Sequence, residues 1–150
     1  MKNYSHHYSA RMRKALFFES LAGLSATVRI IIFTVFISLV AFAFFFVNSE
    51  SVDFFALKPS NILDGIHLWT LAMHMFVHGN LLHLFINMFA LFSLGRLCER
   101  IIGRKRFFWF YIFSGVFAGL LSVFLAGFFG AGIFERIFGS AESAMVGASG

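Results

Sequence analysis

Apolar residues run in long blocks along this chain, not in the short alternations of a soluble domain. Val28–Val47 is apolar except for Arg29 near its start and Thr34 and Ser38. Its twenty residues make a helix of about 30 Å, the thickness of a bilayer's hydrocarbon. Residues 48–70 break the run with Asn48, Glu50, Asp53, Lys58, Pro59, Asn61, Asp64 and Gly65. Trp69 and several apolar neighbours keep that stretch from being purely polar, so it reads as a loop that partly re-enters the membrane interface. Leu71–Leu94 is apolar again but carries His74, His78, Asn80, His83 and Asn87. The pattern predicts a second membrane helix over about 79–102 and a third over 107–129. The third contains Gly115-x-x-x-Gly119, with Ser114 and Ser122 nearby. That spacing lets helix backbones approach closely, although glycine is also simply common in membrane helices. A mixed loop, Gly130–Val146, leads to Gly147-Ala148-Ser149-Gly150.

Composition strengthens this picture. Of 150 residues, 59% are hydrophobic and 13% charged, against about 25% charged in soluble domains. The expected fold class is all-α: a polytopic membrane bundle with three spans and the start of a fourth helix. A signal peptide fits less well, because the first apolar run is too long and more spans follow it. Pro59 is the single proline and Cys98 the single cysteine, which leaves no internal disulfide and no redox compartment to infer.

Charge then supplies an orientation. Residues 1–29 hold five basic groups and one acid, as do residues 96–106, leaving Lys58 and Arg136 on the other two connections. Ten of the twelve basic residues therefore share one side under an in–out–in–out threading, which predicts a cytosolic N-terminus. Residues 1–27 read as a cytosolic lead-in with an amphipathic stretch around Leu16–Leu24. The net charge of +5 is a topology signal, and no nucleic-acid partner is expected.

Histidine and asparagine inside a membrane helix are costly and point to function. His83 and Asn87 are four apart, so they lie on one helix face. Both can donate hydrogen bonds to a developing negative charge. The alternative is that they join neighbouring helices. His74 and His78 share the same spacing, which raises a metal site. A His-Glu-x-x-His protease, however, needs an acid where Met75 stands, and no Asp or Glu occurs between Gly65 and Cys98. Neither a metal nor any other cofactor is expected. Flanking glycines suit Ser149 to nucleophilic attack because they let a substrate approach the backbone. A serine opening a helix also gains from the macrodipole and the free N–H groups there.

Taken together, His78, His83 and Asn87 within HGNLLHLFIN, Glu99 within LGRLCERIIG, and Gly147-Ala148-Ser149-Gly150 resemble the rhomboid family of intramembrane serine proteases. The matching blocks run from Trp69 to Gly150. The resemblance implies a Ser–His dyad in which Ser149 attacks the scissile carbonyl. His83, Asn87 and the Ser149 N–H would form the oxyanion hole, with His78, Glu99, Gly147 and Gly150 structural. The implied substrate is a membrane protein, cut near the end of a transmembrane segment whose helix unwinds easily. The site would occupy a water-reached cavity open to the outer side of the bilayer. Residues 28–150 would form a partial rhomboid membrane domain. The family often has Trp-Arg where this chain has Trp69-Thr70. Its general base is a histidine on the sixth helix, for which none of the six histidines here is a good substitute. The chain therefore reads as a fragment, silent by itself. The alternatives are a non-catalytic rhomboid-like protein that binds membrane clients and a His-lined metal-binding protein.

Overall fold

A computed structural model describes residues 23–48, 51–129 and 144–147. The expected amphipathic stretch, most of the lead-in, much of the 130–146 loop, Ser149, Gly150 and the start of a fourth helix lie outside the described residues. Among the described residues, three helices are long and apolar enough to cross a membrane: α1 (Ala26–Val47), α2 (Leu81–Ile102) and α3 (Arg104–Phe129). Among the described residues the secondary structure is helical apart from one isolated backbone bridge.

Each helix boundary has a local cause. Ser25 caps α1 by accepting the Val28 N–H at 3.3 Å, a common role for serine. Asn80, in extended backbone, caps α2 by accepting the His83 N–H at 2.8 Å. One residue, Gly103, joins α2 to α3. Its φ of +86° and ψ of 156° lie in a region that essentially only glycine adopts. It reverses the chain so that α3 returns beside α2. The second span is not uniform: Leu91–Gly95 forms a π turn between the α segments Leu81–Ala90 and Arg96–Ile102.

The inward faces follow small or polar side chains more than large apolar ones. Thr27, Thr34, Ser38 and Ala41 are all fully buried along α1. Large side chains point outward instead: Phe46 is 94% exposed, and Phe85, Phe117 and Phe128 are also exposed. Close backbone packing, not hydrophobicity, drives helix association in lipid, so small residues belong inside. Ala26, Ile30, Met75, Phe76 and Phe107 form the buried apolar cluster.

The stretch between α1 and α2 is built largely of short helices, Val52–Phe55, Pro59–Leu63 and Thr70–Met73, followed by a 3-10 turn at His74–Phe76. Pro59 opens the second of these at the position where proline is favoured. The segment packs against α3. Gly115 lies against Met75, and Gly119 against His74 and Leu57. The close approach expected of Gly115-x-x-x-Gly119 thus serves this connecting segment, not a second spanning helix.

Candidate active site

The N-terminal end of α2 gathers the polar residues. His83 and Asn87 are both half-buried and share a face with the buried Leu84 and Met88. His78 precedes α2 and is fully buried. Its Nδ1 lies 3.0 Å from Ser38 Oγ, which is itself 2.9 Å from the Phe76 carbonyl. A carbonyl only accepts, so the Ser38 hydroxyl donates to it and accepts from His78 Nδ1–H. The His78 Nε2 is then left as a bare acceptor, with no hydrogen-bond partner among the described residues. Burial pushes the His78 imidazole down to about 4, and repulsion from His83 adds to this. The two rings meet edge to face, 5.1 Å between centroids.

The chain before α2 holds the motif that follows α3. Leu57 and Met145 exchange two backbone hydrogen bonds, at 2.9 and 2.8 Å. The Gly147 N–H donates to the His74 carbonyl at 2.8 Å. Gly147 is in turn seated on the candidate oxyanion donors. A Cβ there would lie 2.7 Å from His83 Cε1, 2.9 Å from His83 Nε2 and 3.3 Å from Asn87 Nδ2. Its φ of +95° is also one that residues with a Cβ rarely adopt. Glycine is therefore required at 147 on two independent grounds.

A cavity of about 270 Å³ opens beside Gly147, lined by His74, Met75, Tyr111, Ser114 and Gly115 among others. His74 Nδ1 is 3.0 Å from the Thr70 carbonyl, which directs its proton there and leaves Nε2 as an acceptor. Burial lowers the His74 pKa against the pull of the Thr70 and Leu71 carbonyls. The Tyr111 hydroxyl is buried without a hydrogen-bond partner among the described residues. No group of three or more His, Cys, Asp or Glu side chains among the described residues is placed to hold a metal.

Glu99 belongs to the other end of the molecule, about 24 Å down α2 from His83 at 1.5 Å per residue. It is 7% exposed. Its carboxylate accepts the Ala26 N–H (2.7 Å), the Thr27 N–H (2.9 Å) and the Thr27 hydroxyl (2.7 Å). Arg104 Nε stands 3.8 Å away. It is therefore a buried, fully bonded carboxylate and not a solvated surface charge.

The structure thus brings His78, His83, Asn87 and Gly147 together and sets Glu99 apart. Ser38, His74 and Tyr111 also line or support the site. In the sequence Ser38 stands only as a polar break in an apolar run and His74 as a metal candidate, and no pattern singles out Tyr111.

A family model described as Rhomboid domain matches residues 66–150. Among curated proteins, rhomboid protease GluP of Bacillus subtilis (strain 168) is 29% identical over 92 residues, which cover 61% of this chain and 18% of that relative. The chain thus spans less than a fifth of the length of the relative it matches. No solved structure gives a significant match.

Proposed function

The chain belongs to the rhomboid family, and from that premise we propose that it carries the nucleophile and oxyanion donors of an intramembrane serine endopeptidase. The observation that supports this most is the seat of Gly147. The residue two positions before Ser149 lies against both His83 and Asn87, and two residues of chain span at most about 7 Å.

In this mechanism Ser149 Oγ attacks a scissile carbonyl, and its proton passes to a histidine base outside residues 1–150. The carbonyl oxygen gains negative charge as the tetrahedral intermediate forms. His83, Asn87 and the Ser149 N–H donate to it there. The base then protonates the leaving amine, and a water repeats the sequence on the acyl-enzyme. The cavity beside Gly147 has room for several waters and offers His74, Tyr111 and Ser114 as partners. The substrate is a transmembrane protein whose helix unwinds to present an extended bond. The concentration of basic residues in 1–29 and 96–106 favours a cytosolic N-terminus, which puts the site toward the opposite face.

The test is fluorophosphonate labelling and transmembrane-substrate cleavage by the full-length protein, in proteoliposomes, beside its Ser149→Ala variant. Labelling and cleavage that vanish with Ser149 are expected. Cleavage that persists in Ser149→Ala would overturn the serine mechanism. A protein that binds membrane clients but is never labelled would be the non-catalytic relative.

A further inference from the structure

A second, larger cleft of about 670 Å³ lies between α1 and α3, at the end away from Gly147. Both helices start at this end, where Glu99 binds the first N–H groups of α1 and Arg104 opens α3. The mouth of the cleft carries Arg29, Arg104 and Lys105. Its walls are Ile30 and Phe33 from α1 and Phe108 and Ile112 from α3, with Phe76 also lining it. Arg104 and Ile112 are separated by about 12 Å of helix rise. The cleft therefore runs from a cationic rim into the depth of one leaflet.

Among the described residues, no acidic side chain lines this space. Arg104 is partly engaged, by Glu99 and by the Gly23 carbonyl at 3.1 Å. Arg29 and Lys105 are exposed and have no ion-pair partner among the described residues. Cations at a hydrocarbon boundary above an apolar slot match an amphiphile with an anionic head. A soluble phosphate would leave the slot unfilled, and a zwitterionic lipid would bring its own cation to the rim.

We propose that this cleft binds one anionic phospholipid, its phosphate at Arg29 and Lys105 and an acyl chain between α1 and α3. The lipid bridges the two helices at the end remote from Gly147. The site rests on the membrane fold alone and stands whether or not the protein is a protease.

The experiment is native mass spectrometry of the full-length protein in neutral detergent. It is titrated with dioleoyl-phosphatidylglycerol or dioleoyl-phosphatidylcholine. One tightly retained phosphatidylglycerol is expected, with phosphatidylcholine much weaker. Arg29→Gln with Lys105→Gln should weaken phosphatidylglycerol about thirtyfold, from two headgroup contacts. Lys105→Gln alone, which leaves α1 intact, should weaken it about fivefold. Arg29→Lys with Lys105→Arg should keep most of the affinity, as should Arg100→Gln with Arg106→Gln, which removes two cations outside the cleft. Equal retention of both lipids would overturn the proposal. So would an equal loss in the Arg100 and Arg106 pair, or unchanged binding in both glutamine variants of the rim. Displacement of the lipid by glycerol 1-phosphate at matching concentration would assign the rim to soluble phosphate and overturn the lipid site.

Discussion

The two ends of α2 solve the problem of a polar residue in a membrane helix in opposite ways. At the C-terminal end Glu99 is surrounded by donors: two backbone N–H groups, a hydroxyl and an arginine nearby. Those N–H groups belong to the first turn of α1, where an intrahelical partner is lacking. The carboxylate and the helix start therefore satisfy each other, and the helix dipole adds to the attraction. At the N-terminal end, satisfaction is incomplete. His78 Nε2 and the Tyr111 hydroxyl are buried without partners among the described residues. His83 and Asn87 crowd a glycine that tolerates no side chain. A saturated cluster anchors the fold. The other cluster keeps an acceptor and a hydroxyl unused among the described residues.

The sharpest way to break this comparison is Gly147→Val in the full-length protein. The new side chain meets the His83 ring and needs an unfavourable backbone conformation. Turnover should fall by at least about a hundredfold, since displacement of an ångström costs that much. Cleavage assays in proteoliposomes would read it, and near-normal turnover would detach Gly147 from the site.

Next come the donors themselves. His83→Ala and Asn87→Ala should each lower kcat by about 10²–10³, as loss of one oxyanion donor does, with KM little changed. A rise in KM alone would make the residue a binding or packing group. At the C-terminal end of α2 Glu99→Gln should do the reverse: lower the melting temperature, by a loss of about 1–3 kcal/mol, and leave kcat intact. Unchanged melting would erase the contrast between the two ends.

The smallest effect concerns pH. The His78 pKa is depressed when folded, to about 4 from an ordinary 6.5. Between those values the unfolded chain binds the extra proton and the folded one does not. The contribution of His78 to stability is therefore complete above about pH 6.5 and declines as pH falls toward 4. Melting curves across that window should show the decline, and His78→Asn should flatten it. An equal decline in His78→Asn would assign the titration to another group.

Sequence pattern revealed the spans because length and apolarity alone decide what crosses a bilayer. It also paired His83 with Asn87, because helical periodicity is local. What stayed hidden was long-range. The donors to Glu99 are Ala26 and Thr27, more than seventy residues earlier, and no local pattern links them. Thr34 and Ser38 looked like interruptions of α1 and instead mark its inner face, because lipid reverses the usual rule for sorting side chains. The short helices Val52–Phe55 and Thr70–Met73 are too brief to show a period. Gly115-x-x-x-Gly119 announced a close contact without naming the partner, which is the segment holding His74 and Met75.

The bridge between Leu57 and Met145 also sets a schedule for biosynthesis. Leu57 is made early, but its backbone partner lies 88 residues later, beyond two further spans. At roughly 5–20 residues per second, translation takes on the order of 4–18 seconds to cover that distance. Throughout that interval the connecting segment has no Met145 to bind and His74 has no Gly147. A newly inserted chain therefore passes through the membrane-insertion machinery, among other unfolded transmembrane segments, before it owns a formed cleft. The clamp acts as a timer that delays the cleft beside Gly147 until the third span has been made.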